Sequence, residues 1–231
     1  AADSLYGGVG NDALEGNEGN DLAYGGNGDD NVGGFTGRDT LYGGAGNDSL
    51  SVYGVGVDSI DGGVGNDSLY ADYGPQTTDM SFVLHEGQNT VLPDGSVVTG
   101  VENFTIVTGS GNDSLTLAVS QAGQHGWYDQ GGTDRATLDF SSWTDRVTNI
   151  RGFTTGGPQD AFLGASDGLR GIDLRGVESL FLTLGSGNDY VQGQWGQNRI
   201  FGNAGDDLIL GAAAADSLYG GVGNDALEGN E

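Results

Sequence analysis

Aspartates recur at a fixed spacing along residues 7–70, and their chemistry is that of ligands for a hard cation. Each lies at the sixth position of a nine-residue segment, Gly-Gly-x-Gly-x-Asp-x-apolar-x, which is clearest in residues 62–70. Glycines at positions one, two and four permit φ > 0, so that a tight turn can expose its carbonyl oxygens. Carbonyl and carboxylate oxygens without nitrogen or sulfur ligands suit calcium best. Seven consecutive copies, with one residue inserted at Val52, contain Asp12, Asp21, Asp30, Asp39, Asp48, Asp58 and Asp67.

The elements that must position these aspartates are corners and short strands. A fixed period of nine residues predicts a solenoid, in which each copy forms one corner and one strand. Ordering nine residues costs roughly 1–2 kcal/mol each, whereas one buried Leu contributes roughly 1.5–3 kcal/mol. The sequence therefore predicts that a cation must bind the folded form. Position eight is the expected inward side chain: Leu14, Ala23, Val32, Leu41, Leu50, Ile60 and Leu69.

These copies resemble the calcium-binding RTX (repeats-in-toxin) nonapeptides. The resemblance implies an all-β fold, a right-handed parallel β-roll or β-solenoid with two nonapeptides per coil. It also implies several Ca²⁺ ions as cofactors, each between corners eighteen residues apart. One edge would then contain Asp12, Asp30, Asp48 and Asp67, and the other Asp21, Asp39 and Asp58. The glycines expected to contribute at the corners are Gly8, Gly10, Gly26, Gly28, Gly44, Gly46, Gly63 and Gly65.

Further copies of the repeat lie outside residues 7–70. They predict calcium ligands at Asp113, Asp189, Asp207, Asp216 and Asp225. The copy at 193–201 has Asn198 in place of the aspartate, and the copy at 211–219 has Ala212 to Ala215 in place of the glycine corner. Alanine resists φ > 0, so calcium binding along that edge is left open.

Residues 1–18 recur, letter for letter, at residues 214–231, with an offset of 213. Either the chain is one period of a tandem array, or the overlap is engineered. The nonapeptides stay in phase across the join, which favours the array, because repeat proteins grow by duplication. Neighbouring copies of the chain are therefore expected partners.

The repeat pattern divides the chain into five predicted segments. They are a β-roll (1–74), an irregular β segment with a hairpin at Pro93-Asp94-Gly95 (75–107), a lone repeat (108–116), a second irregular β segment (117–183) and a β-roll that continues into the next period (184–231). Gly-Val-Glu occurs at 100–102 and again at 176–178, each time before a strand and a glycine corner. The two irregular segments are therefore expected to be related elaborations of the solenoid, with a separate globular domain at 117–183 as the alternative.

Composition excludes several classes of function. The net charge is −26, and there is no Lys and no Cys, which argues against nucleic acid as a partner and against disulfides. No apolar run is long enough to span a membrane, and we expect no N-terminal signal peptide. The family resemblance implies type I secretion through a C-terminal signal, so we expect a secreted, cell-surface protein whose natural chain continues beyond residue 231.

Enzymatic motifs are weak. Residues 164–168 match a hydrolase nucleophile elbow around Ser166, but glycines follow it and both histidines, His85 and His125, precede it. His85-Glu86 begins like a zinc-protease helix but has no second His. We therefore expect no enzyme activity and no catalytic residues.

Aromatic residues suggest two surface features. Trp127, Tyr128, Trp143 and Trp195 could form a sugar-stacking platform, although packing inside the irregular segments is the more common role of such residues. Position nine holds a set of tyrosines that predicts an outward ladder of rings: Tyr6, Tyr24, Tyr42, Tyr70 and Tyr219.

The function that fits these features is a structural, calcium-stabilised repeat of an extracellular filament, adhesin stalk or surface-layer protein. Millimolar calcium outside the cell would fold the chain after export, at the affinity of about 10⁻⁴–10⁻³ M typical of extracellular modules. The alternatives are an adhesin module that binds cell-surface glycans and the calcium roll of a secreted hydrolase.

Overall fold

The computed structural model describes residues 1–54, 56–120, 122–149, 161–165 and 170–229. Within these residues there are strands but no helix, and none forms a helical segment long and apolar enough to cross a membrane. The chain divides into two compact units, Ala1–Gln76 with Phe82–Gly109, and Thr77–Ser81 with Ser110–Glu231. The division into five segments stays a prediction.

In the first unit, the first eight strands alternate between two sheets. One sheet has the order β1-β3-β5-β7-β11-β10, formed by β1 (Ser4–Val9), β3 (Leu22–Asn27), β5 (Thr40–Ala45), β7 (Ser59–Val64), β11 (Val97–Thr99) and β10 (Thr90–Val91). The other has the order β2-β4-β6-β8-β12, formed by β2 (Ala13–Glu15), β4 (Asn31–Phe35), β6 (Ser49–Tyr53), β8 (Ser68–Asp72) and β12 (Asn103–Val107).

Pairing in this unit is parallel between coils. Leu5 lies opposite Ala23 and Ala23 opposite Leu41, so each coil contains two nonapeptides. The hairpin predicted at Pro93-Asp94-Gly95 is confirmed, because β10 and β11 pair antiparallel. Its second strand then joins β7 in parallel.

In the second unit, five strands pair in parallel in the order β13 (Ser114–Ala118), β15 (Arg135–Asp139), β19 (Ser179–Thr183), β21 (Arg199–Ala204) and β23 (Ser217–Val222). Its second sheet has the order β14-β18-β17-β16-β20-β22-β24, formed by β14 (Gln124–Tyr128), β18 (Gly171–Arg175), β17 (Ala161–Gly164), β16 (Thr148–Asn149), β20 (Tyr190–Gln192), β22 (Leu208–Leu210) and β24 (Ala226–Glu228). The remaining strand is β9 (Ser81–Leu84).

The irregular segment 117–183 extends the solenoid. Its strand β15 pairs in parallel with β13 of the lone repeat, and β19 pairs with β21 of the C-terminal repeats. Among the described residues of this segment, only β17 runs antiparallel to its neighbours β18 and β16. These pairings favour an elaboration of the roll over a separate globular domain.

The core contains the position-eight side chains, as predicted, stacked from coil to coil. The residues from Ala23 to Leu69 at this position are at most 1% exposed, and Leu14, near the end of the chain, is 7% exposed. The irregular segments add several of the largest buried side chains, including Trp127, Trp143, Phe82 and Phe140. The architecture is therefore an all-β parallel β-roll with a narrow core, as predicted.

Two aromatic predictions have opposite outcomes. The sugar-stacking platform is wrong as a set of four rings, because Trp127 and Trp143 are 0% exposed, and the Trp143 indole N–H donates to the buried Val119 carbonyl at 2.8 Å. The ring ladder is confirmed for three of the five tyrosines: Tyr6 stacks on Tyr24 with centroids 5.4 Å apart, and Tyr24 on Tyr42 at 4.5 Å. Tyr70 lies in the other sheet, tilted against Tyr53, and Tyr219 stacks on Phe201.

The two Gly-Val-Glu segments have the same geometry. Gly100 and Gly176 adopt φ of 59° and 79°. The Glu102 carboxylate accepts the Asp67 backbone N–H at 2.8 Å, and the Glu178 carboxylate accepts the Asp134 N–H at 2.7 Å. The similarity between the two irregular segments, inferred from their sequences, is therefore also seen in these hydrogen bonds.

Candidate metal centres

In the most regular copies, each corner contains two residues with left-handed backbone conformation, at positions two and four, whereas the corners at 109–111 and 185–187 contain none. The eight corner glycines named in the sequence analysis have φ between 105° and 152°. Asn17 and Phe35 occupy position two in the looser copies and still adopt φ of 66° and 69°. Ala212 and Ala214 do the same, at 76° and 71°. The alanine corner therefore keeps the shape of the glycine corners, at the expense of some backbone strain.

Position one does not use the φ > 0 that its glycine permits; glycine is required there for space. A Cβ on Gly7 would lie 2.6 Å from the Gly25 carbonyl oxygen and 2.7 Å from Asp12 Oδ2. These two oxygens therefore face the same point beside the glycine. Position one thus admits the close approach of a carbonyl from the next coil and the carboxylate of its own copy.

One oxygen of each position-six carboxylate holds neighbouring coils together. Asp30 Oδ1 accepts the Asp12 backbone N–H, and Asp48 Oδ1 accepts that of Asp30, both at 2.8 Å. On the opposite edge Asp39 Oδ1 accepts the Asp21 N–H at the same distance. The structure therefore brings together the aspartates eighteen residues apart, along the two edges that the family resemblance implied.

The second oxygen of these carboxylates has no donor. Among the described residues, a repeated set has a buried Oδ2 that accepts no hydrogen bond: Asp12, Asp21, Asp30, Asp39, Asp48, Asp67, Asp134, Asp189, Asp207 and Asp216. A buried, ionised oxygen without a partner is strongly destabilising. Repeated at successive corners, it indicates a positively charged group that belongs at each of them.

Asn198, which replaces the position-six aspartate in the copy at 193–201, shows which atoms surround the second carboxylate oxygen at the other corners. Its amide Nδ2 donates to the carbonyls of Gln194 at 2.6 Å, Gly196 at 2.8 Å and Gly211 at 3.1 Å. It also donates to Asp216 Oδ1 at 3.0 Å. A Cβ on Gly193 would lie 2.7 Å from both Asn198 Nδ2 and the Gly211 oxygen. Nδ2 therefore occupies the place that Oδ2 occupies beside Gly7.

The aspartate corners fit calcium by this comparison. Where Asn198 brings N–H groups to four oxygens, an aspartate brings a further oxygen and no proton. The carbonyls of positions two and four, the position-one carbonyl of the next coil and two carboxylates are the all-oxygen donor set that calcium prefers. The residues that would hold one ion are Gly8, Gly10, Asp12, Gly25 and Asp30.

Burial raises the pKa of several of these carboxyl groups. It is the largest effect on Asp67, whose pKa rises to about 6, and the charge of Asp48 adds to it while the Asp48 N–H opposes it. Burial likewise raises the pKa of Asp58 to about 6 and that of Asp189 to about 7. Without a cation the ionised corners are therefore electrostatically unfavourable at neutral pH.

Other predicted ligands lie where a run of repeats changes or ends. Asp58 Oδ1 accepts the Asp39 N–H at 2.8 Å, and Asp225 Oδ1 accepts the Asp207 N–H at 3.1 Å. Asp113 accepts the Met80 N–H at 2.7 Å, as Asp189 accepts that of Val147. In each case the carboxylate accepts a backbone N–H from the preceding segment, as the other position-six aspartates do.

Sequence reasoning missed four acidic residues of the same network: Glu102, Asp129, Asp134 and Glu178. Asp134 lies in Gly131-Gly132-Thr133-Asp134, a degenerate corner that the spacing of glycine to aspartate could have revealed. Glu102 and Glu178 belong to the Gly-Val-Glu segments, whose recurrence was seen without a role. Ser166, whose match to a nucleophile elbow the sequence analysis judged weak, lies outside the described residues.

The fold and these corners define a parallel β-solenoid with a repeated cation site at its turns. The family model of the RTX calcium-binding nonapeptide repeat matches residues 1–32, 24–53, 33–69, 52–74, 181–209 and 201–231, more than half of the chain. The chain therefore belongs to this family, and it is a calcium-binding structural repeat region. A comparison with curated proteins gives no match.

Proposed function

We propose that this chain is one period of a secreted bacterial RTX protein that forms a filament, an adhesin stalk or a surface layer, and that calcium folds it after export. In this proposal the predicted aspartates and corner glycines hold the ions, including Asp113, Asp189, Asp207, Asp216 and Asp225. The protein acts as a scaffold rather than as an enzyme. Repeats of this family occur in secreted bacterial proteins.

The observation that carries the calcium-dependent folding is the series of buried Oδ2 atoms without donors. In a compartment with little calcium these carboxylates repel one another, and the chain, with its narrow core, stays unfolded. At millimolar calcium each ion binds only the folded corner and stabilises it by mass action. Export of an unfolded chain and folding outside the cell follow from the same chemistry.

The repeated termini support a continuous array. Residues 217–222 and 4–9 are identical, and both form strands, β23 and β1. Tyr219 stacks on Phe201 with centroids 4.6 Å apart, and Tyr6 stacks on Tyr24 at 5.4 Å. If the next period follows β23 as β3 follows β1, its tyrosine ladder continues from Phe201 and Tyr219.

Folding is tested by far-ultraviolet circular dichroism of the chain in EGTA and in 5–10 mM calcium, a range chosen to exceed the affinity of about 10⁻⁴–10⁻³ M. We expect β structure only with calcium, and equal magnesium should not replace it, because magnesium requires a tighter octahedral site. An unchanged spectrum in EGTA would contradict the folding switch.

The array is tested on the native material and on a chain of two periods that share one copy of residues 1–18. Electron microscopy with calcium should show particles twice as long as those of a single period. Two separately moving bodies in the double chain would argue against a continuous ladder.

A glycan-binding role has no supporting observation, because Trp127 and Trp143 are buried, and a secreted hydrolase would need an enzyme domain elsewhere in the natural protein.

A further inference from the structure

Three carboxylates converge in the second unit, at the corner that precedes β15. Asp113, Asp129 and Asp134 each offer an oxygen, and the three oxygens lie within 4.8 Å of one another. Among the described residues this is the one group of three acidic or metal-binding side chains so close together. Asp129 and Asp134 lie outside every nonapeptide copy recognised in the sequence.

The corner is built like an ordinary one. Asp134 Oδ1 accepts the Asp113 backbone N–H at 2.5 Å, as Asp67 Oδ1 accepts that of Asp48 at 2.8 Å. Asp134 in turn donates its N–H to Glu178, as Asp67 does to Glu102. Asp134 therefore holds position six of a hidden copy.

The hidden copy departs from the others at position one. Counting back five residues from Asp134 gives Asp129, whereas the same count from Asp67 gives Gly62. Gly131 donates its N–H to Asp129 Oδ2 at 2.6 Å, which fixes the carboxylate beside the corner. The glycine that elsewhere makes room for oxygens is thus replaced by a residue that supplies one.

The cluster contains a buried carboxylate oxygen that a bound cation would stabilise. Asp134 is 0% exposed, its Oδ1 accepts the Asp113 N–H, and no N–H or hydroxyl group of the described residues donates to its Oδ2. With Asp129 and Asp113 within 4.8 Å, the ionised forms of all three repel one another unless a cation lies between them. An ordinary corner brings two carboxylates to this point, and this one brings three.

We propose that Asp113, Asp129 and Asp134 form a three-carboxylate calcium site that binds more tightly than the other corners of the chain. Calcium affinity rises with the number of charged ligands, so this site fills first as calcium increases and empties last as it falls. The ion at this corner orders the start of the second unit before the two-carboxylate corners close. The inference rests on the calcium-dependent function proposed above and adds an order of filling to it.

The test uses the full chain and calcium alone. Equilibrium dialysis against chelator-buffered calcium gives the number of ions retained at each free concentration. For the wild-type chain we expect one ion to remain at a free calcium concentration about tenfold or more below that at which the others dissociate. Asp129→Asn keeps an acceptor for the Gly131 N–H and should remove this tight step while the later steps remain.

The matched control is Asp29→Asn. Asp29 is exposed at position five, its Oδ1 accepts the Asn47 N–H at 2.8 Å, and Asn11 accepts the Asp29 N–H from the equivalent position. This variant loses the same charge and should keep the tight step. Asp129→Gly restores the residue common at position one and should behave like Asp129→Asn, which separates the loss of a ligand from a failure to fold.

The outcomes are distinct. Calcium binding in one class, with no tight step in the wild type or with the step retained in both Asp129 variants, overturns this proposal and leaves calcium-dependent folding intact. A chain that retains no calcium at millimolar concentration overturns the proposed function itself.

Discussion

At the scale of single residues, a side-chain amide and a carboxylate at position six require opposite partners: the amide nitrogen requires acceptors, and the carboxylate oxygen requires a donor or a cation. Asn198 Nδ2 donates to three carbonyls and one carboxylate. An aspartate at the same place presents a bare oxygen to such a set and needs a cation. One atom, nitrogen or oxygen, therefore decides whether a corner closes without an ion.

Asn198→Asp is expected to convert a closed corner into a calcium site. Without calcium the variant should be less stable by about 1–3 kcal/mol, because the four acceptors lose their donor. At millimolar calcium it should bind one ion more than the wild type, as counted by native mass spectrometry. The reverse change, Asp207→Asn, should bind one ion fewer, and an unchanged count in both variants would contradict the assignment.

The raised pKa values give a pH dependence with a definite sign. Asp67 and Asp189 have pKa values of about 6 and about 7 in the fold, above the ordinary value near 4 that they have when unfolded. The metal-free fold therefore binds more protons than the unfolded chain, and its stability falls as pH rises from about 4 to about 7. Protonation in the same range should weaken calcium binding.

Circular dichroism in calcium-free buffer from pH 5 to pH 8 measures the first effect, and we expect more β structure at the acidic end. Calcium titrations at pH 5.5 and pH 7.5 measure the second, with the higher midpoint at pH 5.5. Equal midpoints would show that these carboxylates are not the ligands.

At the scale of elements, the corners limit substitution in two ways, by backbone angle and by space. Ala214 demonstrates that position four can adopt φ of 71° without glycine. Gly46 has φ of 141°, and a Cβ there would lie 2.1 Å from the Gly28 carbonyl oxygen. The stacking of one coil on the next is therefore the stricter constraint.

Gly46→Ala should lower the free energy of unfolding in calcium by about 2 kcal/mol or more, because it adds strain in φ to overlap with backbone. Gly229→Ala is the control, since a Cβ there meets nothing within 4 Å, and it should change stability little. Urea unfolding at fixed calcium measures both, and equal effects would mean that the corners are looser than the structure indicates.

At the scale of the whole molecule, calcium and folding are one equilibrium. Each ion bound by the folded state and not by the unfolded state adds about 1.4 kcal/mol of stability for every tenfold increase in free calcium above its dissociation constant. We expect the free energy of unfolding to rise with the logarithm of calcium, with a slope that gives the number of ions released. Urea unfolding at a series of buffered calcium concentrations measures this slope, and a slope of zero would contradict linkage.

Much of the fold was predictable because its geometry is local. Position eight points inward and position six lies at a corner in every copy, since nine consecutive residues encode one strand and one turn. Leu41, Leu50 and Asp39 could therefore be placed from spacing alone. At Ala212 and Ala214 the sequence left open whether the corner could form, because alanine resists φ > 0, and the structure shows both residues with positive φ.

The rest of the candidate site and of the fold could not be predicted, because it depends on which coils stack on each other. Asp113 and Asp134 are 21 residues apart, and Asp134 and Glu178 are 44 apart, so no single period relates them. The burial of Trp127 and Trp143 likewise follows from strands that pair across the irregular segments. The sequence by itself determined the repeat, its inward residues and its calcium chemistry, because these reside in consecutive residues. Only the tertiary structure decided which side chains complete each corner, because those contacts arise when distant coils are laid side by side.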